Sequence, residues 1–298
     1  MNLKNKDEVI LKGKNRLLEG FGFDNNGTWK NTFSFIQMAD TQFGLTEDFK
    51  TGKDDNWEIE ISYTLKCIEI INKINPAPEF IIVCGDMINA FPGKANRKEQ
   101  ISDFIRGFRE VSPKIPLVCV CGNHDVGNTP TPETLSEYRN DFGEDYMSFW
   151  VKGVKFIVIN SQYFHDKSMC VEDAEKHHSW LLEELGNEEN KQAKHLIMFQ
   201  HIPWFIYRMD EPDEYFNLKS DIRKEMITKF INAGVTKIFT GHTHKNAGGW
   251  YTNDNNKSIE IVVTSAVGYQ LGDDEHGFRL VTVKENCIEH QYQNVFLD

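Results

Sequence analysis

The chain has 298 residues, with 33 Lys plus Arg against 45 Asp plus Glu, a net charge of −12, and 40 % hydrophobic and 26 % charged residues. These globular values exclude long disorder and collagen-like repeats, and a chain of this length can bury a full core without disulfides or a structural metal. The acidic balance argues against a nucleic-acid groove, which needs a basic face, but leaves a small phosphorylated substrate open because bound metal ions reverse a local field.

No stretch reaches the roughly 18 apolar residues of a membrane span. The first twenty residues are polar and lack the apolar segment of a secretory signal. The six cysteines (67, 84, 119, 121, 170 and 287) form no CxxC pair. They read as reduced thiols of a cytoplasmic protein, with Cys84, Cys119 and Cys121 buried in apolar runs. The Asn-x-Ser/Thr triplets at Asn26 and Asn256 read as chance matches.

From residue 33 onward apolar runs alternate with stretches of helical period. The runs at 33–39, 80–84, 116–121, 154–160, 195–200 and 235–240 predict strands, and 57–74, 97–111, 171–185 and 218–232 predict helices. After residue 248 the segments GGWYT, IEIVVTSA, FRLVTV and IEHQYQ predict antiparallel strands. The β-α-β-α-β opening implies a parallel sheet covered by helices. No composition shift marks a boundary, so 1–298 reads as a single domain, with residues 1–30 an extension that wraps the outside or stays mobile.

Five of these strands are followed by chemistry-bearing residues: Asp40-Thr41-Gln42, Gly85-Asp86 with Asn89, Gly122-Asn123-His124-Asp125, His201, and Gly241-His242-Thr243-His244. In α/β sheets ligands bind beyond the carboxyl ends of strands, so five such ends can converge on one cleft. Carboxylate, amide and imidazole without thiolate suit Mn, Fe, Zn or Mg, and the set is large enough for two ions. The glycines before Asp86, Asn123 and His242 let backbone approach a ligand closely. Alone, Gly-Asp is ordinarily a turn and His-x-His a surface pair; joined in this order at five strand ends they point to a site.

The order of DxQ, GDxxN, GNHD, QH and GHTH from Asp40 to His244 resembles the calcineurin-like metallophosphoesterases. The stretches ADTQFGL (39–45), GDMINAFPGK (85–94), NSQ (160–162) and TSAVGYQLGDDEHGFRLV (264–281) are similar to a subgroup of cytosolic serine/threonine phosphatases within that family. The resemblance implies a mixed α/β fold, a four-layer α/β/β/α sandwich of two facing mixed sheets flanked by helices. It implies that Asp40, Gln42 and His244 hold a first divalent ion, Asp86 bridges, and Asn123, His201 and His242 complete a second. It makes His124 the catalytic residue, with Asn123, His124 and Asn89 facing substrate.

The function implied is a binuclear metal-dependent phosphomonoesterase, a protein serine/threonine phosphatase. Metal-activated water attacks in line while His124 acts as general acid. A phosphodiesterase or nucleotide hydrolase on the same fold is the alternative enzyme, and a metal-binding scaffold the non-catalytic one. The implied partner is a phosphorylated protein or small phosphoester, with no nucleic acid or membrane. The absence of heptads and apolar stripes favours a monomer.

Two positions depart from the family pattern. Gln42 stands where most members have His, and its neutral amide oxygen predicts a looser first ion or a shift toward Mn or Mg. Asn89 stands where calcineurin-type enzymes have an Asp that orients the catalytic histidine, and no phosphate-holding Arg follows it. Arg279 and Lys94 are the candidates to replace that Arg, a structural or solvated role being the plainer reading of each. The aromatics Phe43, Trp57, Trp204, Phe205 and Tyr207 in loops 41–57 and 202–217 either wall a cleft or, as the plainer reading, pack the loops down. His165, His177 and His178 read as surface residues, and EPDEYF (211–216) as a solvated loop.

Overall fold

A computed structural model describes residues 9–297. Its strands are β1 (Gly13–Lys14), β2 (Leu17–Leu18), β3 (Phe33–Met38), β4 (Ile81–Cys84), β5 (Leu117–Val120), β6 (Met147–Val151), β7 (Val154–Val158), β8 (His195–Phe199), β9 (Val235–Thr240), β10 (Ala247–Thr252), β11 (Ser258–Val263), β12 (Gly277–Val283) and β13 (Ile288–Asn294). They form two mixed sheets, in the orders β13-β12-β3-β4-β5 and β1-β2-β6-β7-β8-β9-β11-β10. The expected pair of mixed sheets flanked by helices is what the chain adopts.

Strand side chains alternate between faces, and here both faces are apolar. Phe35, Phe80, Ile82, Val118 and Val120 point between the sheets and meet Phe149, Phe156, Ile197, Phe199 and Phe239. The Phe35 ring stacks on Phe80 at 4.9 Å and meets Phe156, Phe199 and Phe239 edge-on at 5.6–5.7 Å. Ile36, Met38, Ile81, Val83, Leu117 and Cys119 point outward, against helices Glu58–Asn72, Arg97–Phe108 and Pro132–Phe142. On the other sheet, Leu196, Met198, Ile238 and Ile261 pack against helices Val171–Leu185 and Ser220–Ala233.

Several features depart from the sequence reading. The five ligand-bearing strands lie in two sheets, three in one and two in the other. The tail is not wholly antiparallel: β11 pairs parallel with β9, because β10 first runs back along the sheet edge and β11 inserts between them. Strand β6 and helix Pro132–Phe142 were not predicted. The helix had a signal in Thr131-Pro132-Glu133-Thr134: Thr131 Oγ1 accepts from the Thr134 amide at 3.3 Å, and proline occupies the first turn.

The expectation for residues 1–30 falls partly on 1–8, outside the described residues. Residues 9–30 do pack: β1–β2 extends the larger sheet through β6, and Phe23 meets Trp150 at 5.1 Å. Among the described residues, Cys67, Cys84, Cys119, Cys121 and Cys170 are buried and Cys287 is exposed, all as free thiols.

Candidate metal centre

The loops after β3, β4, β5, β8 and β9 meet at one end of the paired sheets. Asp40, Gln42, Asp86, His242 and His244 all have positive φ, between 38° and 71°. Such backbone is uncommon for residues with a Cβ and collects at functional sites. Glycines make the convergence possible. A Cβ on Gly122 would lie 2.2 Å from Asp86 Oδ1, and one on Gly85, where φ is +87°, would lie 2.2 Å from His201 Nδ1.

Each histidine of the cluster turns one nitrogen to a backbone carbonyl. His201 Nδ1 donates to Cys84 O at 2.8 Å, His242 Nε2 to Tyr215 O at 3.3 Å, and His244 Nδ1 to Tyr269 O. When the rings are neutral, as metal ligation requires, the opposite nitrogens carry the lone pairs. His201 Nε2 lies 3.2 Å from Asp86 Oδ2, 3.1 Å from Asn123 Oδ1 and 3.1 Å from His242 Nδ1. His244 Nε2 lies 3.4 Å from Asp40 Oδ1. Asp40 Oδ1 and Gln42 Oε1 are buried with no hydrogen-bond partner among the described residues.

Acceptors facing acceptors in a buried site need a cation between them. The ligand atoms of Asp86, His201 and His242 lie within 4.8 Å of one another. Oxygen and imidazole donors of this kind fit divalent ions.

The buried charges of the cluster bear strongly on one another. Burial works against a charged His201, but the Asp86 carboxylate outweighs it and holds the ring up at about 9. Burial also opposes the Asp86 charge, yet His201 and His124 hold that carboxyl well below its usual range. Burial pushes His242 well down and His244 down to about 4. It pushes Asp40 up, helped by the charge of Asp86.

His124 stands beside the cluster. Its Nδ1 lies 2.6 Å from Asn89 O, its amide donates to Asp86 Oδ1 at 2.9 Å, and the Phe91 ring lies 4.1 Å from its own. The Asn89 side chain does not touch it: Asn89 Oδ1 accepts from Gln42 Nε2 at 3.3 Å, and Nδ2 donates to Asp48 Oδ2 at 3.2 Å.

Three residues at the centre had no role assigned from sequence. Asp125 accepts from the amides of Asp86, Met87 and Gly122 at 2.8–3.1 Å, clasping the two motif loops. Buried Arg97 donates to the carbonyls of Ala90, His124 and Asp125 at 2.5–3.1 Å. Asp125 lay inside the GNHD motif and was legible there; no local pattern marks Arg97. The third, Tyr215, lies in the loop expected to be solvated. Its hydroxyl accepts from Asn123 Nδ2 at 3.3 Å, and its ring lies 5.2 Å from that of His242.

Other expectations are corrected or settled. His177 is buried, not at the surface, packed among Tyr146, Tyr163, Phe164 and Trp180, with neither ring nitrogen hydrogen-bonded among the described residues. His165 and His178 are half-buried. Phe43, Trp204 and Phe205 are fully buried and pack their loops down, as the plainer reading had it, whereas Tyr207 is exposed. Half-buried Trp57 donates to Asp103. Arg279 is tied to Thr264, Asn246 and His290, and Lys94 is exposed along a separate groove.

The chain belongs to the calcineurin-like phosphoesterases, whose family model matches residues 33–246. With this centre, it is a metal-dependent phosphoester hydrolase. It is 46 % identical over 291 residues to the serine/threonine-protein phosphatase CPPED1 of Bos taurus, covering 96 % of this chain and 91 % of that one. The Homo sapiens protein of the same name is 46 % identical over 292 residues, with coverage of 96 % and 91 %. Among solved structures, the purple acid phosphatase PPD1 of yellow lupin (Lupinus luteus) superposes with a TM-score of 0.60 at 11 % identity, over 90 % of this chain and 52 % of that one. GAP50 of Plasmodium gives a TM-score of 0.58 at 15 % identity, over 88 % and 84 %. At such identities the structural likeness speaks for the fold alone.

Proposed function

We propose that this chain is a binuclear metal-dependent phosphomonoesterase acting on phosphoserine or phosphothreonine in proteins. The observation that carries the reading is the pair of acceptor clusters just described. Asp40, Gln42 and His244 would hold one ion, Asn123, His201 and His242 would hold a second, and Asp86 would be shared between them. When bound, such ions lower the pKa of a water and screen the charge of a phosphoryl group.

The chain's own residues do the rest. The carbonyls of Cys84, Tyr215 and Tyr269 fix the tautomers of the three ligand histidines. Asn89 O fixes His124 through Nδ1, which leaves Nε2 to carry a proton to the leaving alkoxide. Asn123 offers a phosphoryl oxygen the amide N–H that does not go to Tyr215. General acid catalysis of this kind is worth about 10²–10⁴-fold.

The serine/threonine specificity rests on the curated relatives, which carry that name over nearly the whole chain. We also read the chain as a single-domain cytoplasmic monomer. Support for one domain comes from the interleaving of β3 between β12 and β4. No helix among the described residues is long and apolar enough to cross a membrane.

The test is phosphate release from a phosphoserine peptide by metal-stripped protein reloaded with Mn²⁺, run beside His124→Ala and a phosphodiester. Metal-dependent release confined to the monoester and lost in the variant is expected. Release from the diester alone would move the assignment to a phosphodiesterase. No turnover of either substrate by metal-loaded protein would make the chain a scaffold.

A further inference from the structure

The family's phosphate-holding arginine has no counterpart after Asn89, and neither Arg279 nor Lys94 takes its place. A different donor stands over the centre. Tyr215 Oη accepts from Asn123 Nδ2 at 3.3 Å, and the Asn128 side chain also hydrogen-bonds to it. Asn123 approaches as a donor, which leaves the hydroxyl's own proton to be given to another acceptor. A phenol carries its proton at neutral pH.

The loop that carries Tyr215 is built rather than loose. Glu211 accepts the amides of Ile206, Tyr207 and Arg208 at 2.6–3.0 Å. Fully buried Arg223 donates to the carbonyls of Met209, Glu211 and Leu218 at 2.8–3.1 Å. Asn217 donates to Glu211 and Pro212 and accepts from the Glu214 amide. Arg223 Nη2 also lies 3.6 Å from Asp213 Oδ1, so one buried side chain ties three carbonyls and a carboxylate of this loop together. Its effect is to fix the Tyr215 carbonyl on His242 and the Tyr215 hydroxyl on Asn123.

We propose that Tyr215 is a phosphate-binding residue of this enzyme, its hydroxyl donating to a phosphoryl oxygen beside Asn123 in place of the absent arginine. A neutral donor there binds phosphate less tightly than a guanidinium does, and so also releases product more readily. The half-exposed ring walls the cleft next to Phe216, whose ring lies 5.4 Å from that of His242.

The inference rests on the phosphoester reading of the site, and its probe, inorganic phosphate, separates the two. Wild type and Tyr215→Phe, both loaded with Mn²⁺, are compared for metal content, calorimetric binding of phosphate, and KM and kcat on a phosphoserine peptide. The variant keeps the backbone carbonyl that orients His242, so equal metal content is expected. Phosphate affinity is expected to fall about tenfold, the scale of one hydrogen bond to a charged group. KM should rise in proportion, with kcat within about threefold. Unchanged phosphate affinity would overturn the proposal. So would a loss that merely tracks lost metal, since the hydroxyl would then act only on Asn123 as a ligand. If wild type binds phosphate yet turns over no phosphopeptide, the phosphatase reading fails, while the ratio of phosphate affinities still decides the role of Tyr215.

Discussion

The backbone carbonyl of Asn89, 2.6 Å from His124 Nδ1, holds the imidazole, while the Asn89 side chain turns to Gln42 and Asp48. A carbonyl survives any substitution at its own residue. Asn89→Ala is therefore expected to keep kcat within about tenfold of wild type with an unshifted pH–rate profile, while His124→Ala loses about 10²–10⁴-fold. Steady-state kinetics from pH 5 to 9 on both variants checks this; equal losses would return the orienting role to the Asn89 amide.

Gln42 gives its Nε2 to Asn89 and keeps Oε1 buried without a hydrogen bond. The proposed function makes that oxygen a weak ligand. Gln42→Leu is expected to weaken one of two bound Mn²⁺ ions by about 10–100-fold and leave the other unchanged. Wild type itself should show two unequal affinities in equilibrium dialysis. Two equally tight ions in both proteins would remove Gln42 from the ligand set.

Arg97 ties the Asn89 loop to the His124 loop through three carbonyls. Arg97→Met keeps most of the stem but removes every donor. Urea unfolding should show a loss of about 2–3 kcal/mol, with kcat falling as His124 loosens. A stability unchanged within error would mean that water replaces the guanidinium.

His177 is buried among aromatic rings, and burial pushes it down to about 3 from its ordinary 6.5. Between those values the unfolded chain binds a proton that the folded chain refuses. Stability is thus lost as pH falls below about 6.5, by about 2 kcal/mol at pH 5 relative to pH 7 or above for this one group. His177→Phe should flatten that acid slope and change stability much less at pH 8. Parallel slopes for the two proteins in thermal melts at pH 5, 6, 7 and 8 would show that the ring charges without cost.

The sequence carried the ligand loops because each holds both its chemistry and its geometry in three or four consecutive residues. Asp86 and Asn123 follow glycines in strand-ending motifs, and the structure brings them to His201 and His242. What it did not carry is long-range. Tyr215 reaches Asn123 across 92 residues and Arg97 reaches His124 across 27, with no spacing to announce either. His177 looked exposed because its helix is acidic, with Glu172, Asp173, Glu175, Glu183 and Glu184. Its position one turn from Ala174 and Leu181 marks the buried stripe instead. The tail strands were legible as strands, but not the insertion of β11 between β9 and β10, since pairing partners are set by tertiary contacts rather than local pattern.

The ligand loops divide between the sheets: Asp40, Asp86 and Asn123 hang from the smaller, His201 and His242 from the larger. Hydrogen bonds cross that gap at the centre, from the His242 amide to Asp40 Oδ2 and from His201 Nδ1 to Cys84 O. The interval is gauged by the layer of rings in which Phe35 lies flat on Phe80 and edge-on to Phe156, Phe199 and Phe239. Phenylalanine at these places thus acts as a shim. A thinner side chain there would detune ligand spacing at the far end of the strands, so drift in this greasy interior is policed by catalysis as well as by folding.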